Sequence, residues 1–212
     1  DSLYLIAMVG CGELNDSKTY DKQSSYQKII QYFPTAKPLD KIHCQWYSGN
    51  ISIPSGELLR WDGVFSRIYE QAVLIEIKKG KKVKIEQIQN YVEKDEAIDR
   101  KYNNTISDVL FERLSQLNWD KLDQIDCSEN YYFNINKKGR INYVGLANYE
   151  KEEISLYFEK RELKSCLKAI YKAVKDLRFD IIKHEGKPIS ERVTLDVWYE
   201  ESTGELENMS KI

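Results

Sequence analysis

The sequence has few of the residues that build metal sites or disulfide frameworks. Its 212 residues include only two histidines and four cysteines, and Cys11, Cys44, Cys127 and Cys166 form no CxxC pair. A structural zinc needs clustered thiolates or imidazoles, so we expect no metal site and no other cofactor. Cys166 falls on the apolar face of a predicted helix and is expected to pack as a small hydrophobe. Cys44 and Cys127 are candidates for pairing in an oxidising compartment, although spacing alone does not set the connectivity.

An excess of charge of one sign is also absent. Lysine and arginine number 32 against 34 aspartate and glutamate residues, so no overall positive field exists to hold nucleic acid or an anionic membrane surface. Nucleic acid is therefore not an expected partner. The hydrophobic share of 42% suits one large or two small globular domains. Fifteen tyrosines and four tryptophans favour strands and, at the surface, recognition patches.

One apolar run, Leu3 to Val9, stands near the start of the sequence and is too short to span a bilayer. Seven apolar residues before Gly10 fit a buried strand. They also fit the end of a secretory signal, because Met8-Val9-Gly10-Cys11 resembles the lipobox of bacterial lipoproteins. That resemblance implies lipidation of Cys11 and attachment to a membrane, in the periplasm or at the outer membrane. Without lipidation we expect a cytoplasmic protein.

A third interpretation of the same region is a ligand-binding loop. Gly10 and Gly12 resemble part of the glycine motif of nucleotide-binding and methyltransferase folds. The motif needs a strand before it and a helix after it, and Glu13-Leu14 stands where the third glycine and the helix entry belong. All three interpretations remain open at the level of the sequence.

The middle of the chain alternates helix and strand patterns. Helical spacing of apolar residues predicts a helix from Ser24 to Phe33 and another from about Thr105 to Leu117. Cys44 to Ile53 is typical of a strand, and Pro54-Ser55-Gly56 predicts the turn that ends it. A hairpin is predicted around the turn Lys78-Lys79-Gly80-Lys81, with strands from Val73 to Ile77 and from Val83 to Ile88.

Parts of these patterns recur further along the chain. Two short motifs have similar counterparts 58 to 60 residues later. The first motif, Ile77-Lys78-Lys79-Gly80, resembles Ile135-Asn136-Lys137-Lys138-Gly139. The second motif, Leu117-Asn118-Trp119-Asp120, resembles Leu177-Arg178-Phe179-Asp180. This spacing favours an internal duplication in which 74–120 and 132–180 are equivalent. The alternative is that two hairpins with Lys-Gly turns simply look alike. We therefore expect an α+β fold with antiparallel sheets and one helix packed on each hairpin.

The second predicted unit has the order β-β-α-β-β. An apolar helical face starts at Glu159 and comprises Leu163, Cys166, Leu167, Ile170, Val174 and Leu177. Phe179 to Ile182 and Val193 to Tyr199 are predicted to form a hairpin around Glu185-Gly186-Lys187-Pro188. The expected organisation is a leader or first strand with a polar tether in 1–25, an α+β unit in 26–125 and the second unit in 126–212.

Residues 132–200 carry a series of motifs in a defined order. They are Phe133-Asn134-Ile135-Asn136 before Gly139, a long helix, Gly186-Lys187-Pro188 and a closing strand. In order and spacing they resemble the C-terminal domain of the TonB family, in which strand addition at a sheet edge binds a segment of a receptor. The resemblance implies a protein or peptide partner at the closing strand, through Val193, Thr194, Leu195, Val197 and Tyr199. The family's Tyr-Pro motif and proline-rich spacer are missing, so energy transduction is not implied.

Residues suited to catalysis are scarce in the sequence. His43 and Cys44 are the only adjacent nucleophile and base, and neighbours in a strand point to opposite faces. We therefore expect no catalytic residue. Trp46, Trp61 and Phe65 form either part of a core or an exposed aromatic patch, and burial of the Trp61 ring distinguishes the two.

The expected function is that of a non-enzymatic, exported binding or scaffold module. Its partner is expected to be a protein or peptide, engaged by strand addition at the closing strand. Two alternatives are a cytoplasmic interaction or immunity-type protein and a methyltransferase-like enzyme that uses Gly10 and Gly12.

Overall fold

The computed structural model describes residues 1–9, 21–38, 40–64, 66–125, 127–149 and 151–211, without the side chains of residues 151, 152, 155 and 211. Over these residues the fold is α+β with antiparallel sheets, as predicted. The strands are β1 (Tyr4–Leu5), β2 (Ile42–His43), β3 (Gly49–Trp61), β4 (Arg67–Lys78), β5 (Lys81–Gln89), β6 (Tyr91–Val92), β7 (Asn130–Ile135), β8 (Ile141–Leu146), β9 (Ile181–His184), β10 (Lys187–Pro188), β11 (Glu191–Glu200) and β12 (Glu205–Asn208). The helices are α1 (Lys22–Tyr32), α2 (Asn103–Ser115), α3 (Trp119–Asp123), α4 (Lys151–Tyr157) and α5 (Lys160–Val174).

The chain divides into two compact units. Unit 1 comprises residues 1–53 and 72–88, and unit 2 comprises residues 54–71 and 89–212. The long strands β3 and β4 each contribute residues to both units. The boundary predicted at 125/126 falls inside unit 2.

Unit 1 is organised by helix α1 and by the turn at Gly80. Asp21 caps α1, because its carboxylate accepts hydrogen bonds from the backbone of Gln23 and Ser24. The N–H of Leu3 donates to the carbonyl of Gly80 at 2.7 Å, beside the short pairing of β1 with β2. The sequence predicted α1 and the hairpin turn at Lys79-Gly80, where φ is 48° and 73°.

The buried strand expected from Leu3 to Val9 is not observed. Only Tyr4–Leu5 form a strand, and none of these seven residues is buried. The apolar content of Leu3 to Val9 led to the expectation of a buried strand, but the burial of a segment also depends on which other elements cover it. Lipidation of Cys11 and a ligand loop at Gly10 and Gly12 fall on residues 10–20, which lie outside the described residues.

The predicted turn at Pro54-Ser55-Gly56 is also wrong, because β3 continues through it to Trp61. β3 is an edge strand in the order β3-β4-β5, and an edge position tolerates proline, which has no backbone N–H. Gly56 has a φ of 80°, and the next N–H, that of Glu57, donates to the Glu70 carboxylate at 3.2 Å. The chain turns later, where the Asp62 carboxylate accepts from the backbone of Val64 and Ser66.

Unit 2 is built around a four-stranded antiparallel sheet of order β12-β11-β7-β8. Alternate residues of β7, namely Tyr131, Phe133 and Ile135, are fully buried beneath α2 and α5. Residues at i, i+2 and i+4 of a strand share one face, so the sheet has a face covered by helices and an opposite, outer face. A smaller three-stranded sheet has the order β10-β9-β6.

Two details of the second predicted unit are corrected. The hairpin of β9 closes with β10 around Glu185-Gly186, whereas β11 pairs with β7 and β12. Helix α2 packs on strand β11 and on helix α5. Both α2 and α5 therefore cover the four-stranded sheet, and the two hairpins do not each have a separate helix. Both hairpins are followed by a helix, but the duplication of 74–120 and 132–180 stays a prediction.

The disulfide joins Cys127 to Cys166, with Cα atoms 5.5 Å apart. The candidate pairing of Cys44 with Cys127 is therefore wrong, and Cys44 is a free, buried thiol. Cys166 does lie on the apolar face of α5, but that face brings it to Cys127. Ile170 on the same face is fully buried, whereas Leu167, which we expected to be buried, is half-buried at the border of the core.

Candidate functional site

The outer face of the four-stranded sheet carries an exposed cluster of aromatic and polar side chains. We call it the sheet face, and its members are Tyr132, Asn134, Tyr143, Arg192, Thr194, Asp196 and Trp198. They project outwards because they alternate with the buried residues of β7 and β11. Strand register places Thr194 opposite Tyr132, and Tyr143 opposite Asn134.

Two tyrosine rings and one guanidinium form the centre of the sheet face. The rings of Tyr132 and Tyr143 stack with centroids 5.6 Å apart, as diagonal neighbours across β7 and β8. The guanidinium of Arg192 lies 4.8 Å from the centre of the Tyr132 ring, within the range of a cation–π interaction. Together with Asn134 these side chains line a shallow depression of about 340 Å³.

Gly145 makes room for this arrangement. It lies directly opposite Tyr132, and a Cβ atom there would come within 2.7 Å of the Tyr132 ring. The Tyr132 ring therefore occupies the space that a side chain at position 145 would fill. Burial raises the pKa of Tyr132, and its hydrogen bond with Tyr143 raises it further. The Tyr132 hydroxyl thus remains protonated near neutral pH and is available to donate or accept hydrogen bonds.

The sheet face has cationic and aromatic groups that are open to solvent. Tyr143 and Trp198 are each 52% exposed. Arg192 is exposed and forms no ion pair with any residue that the structure describes. An exposed guanidinium beside aromatic rings suits recognition of a carboxylate next to an aromatic or apolar group.

The sequence predicted a partner site along the closing strand, which is β11. Val193, Leu195, Val197 and Tyr199 point into the core and are buried, and only Thr194 belongs to the sheet face. β11 also lies between β7 and β12 in the strand order, so it is not an edge strand. The sequence signal for the sheet face is the set of residues that alternate with the apolar core positions of β7 and β11, among them Tyr132, Asn134 and Trp198.

The aromatic residues singled out in the sequence do not form a core. Trp61 in unit 2 is 54% exposed, and the guanidinium of Arg67 lies 5.1 Å from its ring. Trp46 in unit 1 is 55% exposed and contacts the ring of Phe33 at 5.1 Å. Phe65 lies outside the described residues. The core interpretation is therefore wrong for both tryptophans.

A buried ionic cluster in unit 2 was not foreseen from the sequence. Arg60 and Arg100 both donate to the carboxylate of Glu191, with the Arg100 Nε at 3.0 Å and the Arg60 Nη2 at 2.9 Å. Burial by itself would raise the pKa of Glu191, but hydrogen bonding and the charge of Arg60, then the charge of Arg100, outweigh it and lower that pKa. Arg60 also donates to the carbonyls of Arg100 and Lys101.

A tyrosine joins this cluster to two further carboxylates. The hydroxyl of Tyr91 lies 2.6 Å from Asp99 Oδ1 and 2.7 Å from Asp180 Oδ2, and it accepts the N–H of Arg100 at 3.0 Å. Asp180 also accepts the backbone N–H of Lys94 at 2.8 Å. Because Arg100 is fully buried and Tyr91 and Asp180 nearly so, the contacts fix the loop of residues 93–102 to Tyr91 of β6, to Asp180 and to Glu191 of β11. We interpret the cluster as a structural clamp.

The pair His43 and Cys44 makes separate contacts. The His43 Nε2 lies 3.2 Å from the carbonyl of Gly80, while the Cys44 thiol lies 3.7 Å from the carbonyl of Ile42. Across the described residues, no three histidine, cysteine, aspartate or glutamate side chains are grouped so that they would hold a metal ion.

Comparisons of the chain with models of known protein families, with curated proteins and with solved structures gave no match. The resemblance of residues 132–200 to the TonB C-terminal domain accordingly remains a prediction from the sequence. The sheet face is therefore assessed on its geometry and chemistry.

Proposed function

We propose that this protein is an exported, non-enzymatic binding module whose sheet face recognises a protein or peptide partner. The partner presents a carboxylate beside an aromatic or apolar side chain. The carboxylate pairs with Arg192, and the neighbouring group packs on Tyr143 and Tyr132. The observation that carries the proposal is the stack of half-buried Tyr132 with the exposed side chains of Arg192 and Tyr143.

Recognition through the sheet face agrees better with the strand pairing than addition of a strand at β11. β11 pairs with β7 over Glu191–Asp196 and with β12 over Val197–Glu200. A peptide added along Val197–Glu200 would have to displace the β12 pairing. The side chains of the sheet face are accessible without any rearrangement of the backbone.

Export is supported by the disulfide between Cys127 and Cys166. Disulfides persist in oxidising compartments and are rare where thioredoxin and glutathione keep thiols reduced. Both sulfur-bearing residues are buried in the core of unit 2. A structural bond in this position supports maturation of the protein outside the cytoplasm.

The methyltransferase-like alternative has less support. A glycine motif of that kind works between a parallel strand and a helix, whereas the four sheets among the described residues are antiparallel. The cytoplasmic alternative relied on Leu3 to Val9 as a core strand, and that segment is not buried.

Selection from a peptide display library with the oxidised chain tests the proposal. We expect enrichment of peptides in which an aspartate or glutamate neighbours an aromatic residue. Isothermal titration of a selected peptide should show that Arg192→Gln and Tyr143→Ala each weaken binding by about tenfold or more, the loss of a central contact.

Tyr32→Ala is the matched control, since Tyr32 in unit 1 is exposed to 68% and lies outside the sheet face. Its affinity for the peptide should equal that of the unaltered chain. Selected peptides that bind equally to the Arg192 and Tyr143 variants would show that recognition occurs elsewhere, and the proposal would then be abandoned.

A further inference from the structure

Helix α5 carries a row of cations on the side that faces away from the sheet. We call this the basic helix face, and its members are Lys160, Arg161, Lys164, Lys168 and Lys172 of α5 together with Lys175, the residue that follows the helix, all of them exposed. Four of them recur at intervals of four residues, the spacing that aligns side chains along one side of a helix. The opposite side of α5 contains Cys166, Ile170 and Val174, which are buried in the core.

The cations of the basic helix face form no ion pair within the described part of the chain, although Glu159 precedes them and Asp176 follows them in the sequence. None of the six lies within ion-pair distance of a described carboxylate, although the neighbouring Asp176 pairs with Arg113 at 3.4 Å. Over residues 160–175, six cations stand against the single carboxylate of Glu162, a net of +5, while the whole chain carries −2. The balanced total therefore conceals a segregated positive surface.

Exposed apolar side chains adjoin this surface. Leu156 and Tyr157, at the end of α4, are 77% and 70% exposed. Tyr157 is three residues before Lys160, so its Cα atom lies within about 10 Å of the start of the basic row. Cations next to exposed leucine and aromatic side chains are typical of helices that lie at a membrane interface.

We propose that the basic helix face is a docking surface for an anionic lipid bilayer. The lysine and arginine ammonium and guanidinium groups contact the lipid phosphates, and Leu156 and Tyr157 enter the boundary between head groups and acyl chains. No helix within the described residues has the length and apolar character needed to cross a bilayer. The proposed attachment is accordingly peripheral and electrostatic.

A soluble polyanion would also be attracted to six cations, but it would gain little from Leu156 and Tyr157. These two residues therefore favour lipid over nucleic acid or an acidic protein. The docking surface is independent of the sheet face, because α5 covers one side of the four-stranded sheet and the sheet face is the other. Unit 2 would hold its partner on the side away from the membrane.

Co-sedimentation of the full chain with vesicles tests the proposal. We expect binding to vesicles of phosphatidylcholine with 30 to 40% phosphatidylglycerol (roughly the acidic-lipid content needed for a strong surface potential) and none to pure phosphatidylcholine. Each lysine near such a surface changes partitioning by about fivefold. The triple variant Lys164→Gln, Lys168→Gln and Lys172→Gln should therefore bind about 100-fold more weakly, and glutamine keeps a helix propensity close to that of lysine.

The charge-matched control is the triple variant Lys137→Gln, Lys138→Gln and Lys187→Gln, at exposed lysines of unit 2 outside α5. It should keep the binding of the unaltered chain to within a few fold, because the removed charges lie outside the basic helix face. Equal losses in both triple variants would show that only net charge matters, and would overturn the proposal.

The double variant Leu156→Ser and Tyr157→Ser separates lipid from soluble polyanions. Vesicle binding should weaken at least several fold, while retention on heparin should stay unchanged. Absence of binding to anionic vesicles, or vesicle binding that is indifferent to this double variant, would overturn the assignment to a bilayer. Near-ultraviolet circular dichroism of each variant verifies that the fold is retained, and exposed positions were chosen for that reason.

Discussion

The two lysine–glycine hairpins of the chain have similar turns and very different strands. Gly80 in the turn between β4 and β5 and Gly139 in the turn between β7 and β8 both have positive φ, 73° and 71°. Each also accepts a backbone N–H from another segment, Gly80 from Leu3 at 2.7 Å and Gly139 from Phe179 at 2.8 Å. Both turns therefore need a glycine and both are fixed by a second stretch of chain.

Burial separates the two hairpins. Val83 and Ile85 in β5 are 51% and 52% exposed, whereas Phe133 and Ile135 in β7 are fully buried. Residues 131–135 alternate between core and surface because α2 and α5 cover one face of their sheet. Turn residues therefore decide where a hairpin forms, while the elements that cover the strands decide how much the hairpin stabilises the fold.

The largest expected effect tests this difference directly. Phe133→Ala should lower the free energy of unfolding by about 3 to 5 kcal/mol, because it empties a fully buried aromatic site. Val83→Ala should change it by about 0.5 kcal/mol or less, as is usual at an exposed position. Urea denaturation followed by circular dichroism measures both. Similar losses in the two variants would contradict the contrast in burial.

The turn glycines provide the second test. A Cβ atom at Gly139 would lie 2.0 Å from the carbonyl oxygen of Phe179, whereas one at Gly63, where φ is 86°, would meet no atom within 4 Å. Gly139→Ala should cost about 2 to 5 kcal/mol, from left-handed strain and overpacking together. Gly63→Ala should cost about 1 to 2 kcal/mol, from the strain alone. The denaturation midpoints of the two variants decide the matter, and equal midpoints would mean that Gly139 is not enclosed.

The disulfide ties the segment before the buried hairpin β7–β8 to α5. Replacing both Cys127 and Cys166 by alanine should cost about 2 to 4 kcal/mol, the usual effect of a bond that closes a loop of this size. Reductant should destabilise the unaltered chain by a similar amount and leave the double variant unaffected. Cys44→Ala is the control, and it should keep the full response to reductant. A loss of that response in Cys44→Ala would show that Cys44 takes part in the bond.

Some elements were predictable from local sequence because their determinants are local. The apolar spacing of α5, its start after Glu159 and the Lys79-Gly80 turn depend on residues close together in the chain. The same holds for α2, which begins two residues before the predicted start. The turn expected at Pro54 failed because the edge position of β3, which makes proline acceptable there, is a property of the whole sheet.

The candidate sites were less predictable than the elements. Sequence reasoning chose the apolar residues of β11, such as Val193 and Leu195, but alternation places them in the core and leaves Thr194 and Trp198 outside. Tyr132 and Tyr143 meet only because β7 pairs with β8 in one register. Arg60, Arg100 and Glu191 are separated by up to 131 residues, so no local pattern indicates that they form a cluster.

The amino-acid sequence by itself determined the α+β class, the helical and strand periodicities and the turns that need glycine, since each follows from the conformational preferences of neighbouring residues. The tertiary contacts set the pairing of Cys127 with Cys166 and the position of β11 between β7 and β12. These features depend on which distant segments come together to bury apolar area. A chain with no clustered cysteines therefore acquires a specific disulfide only when it folds.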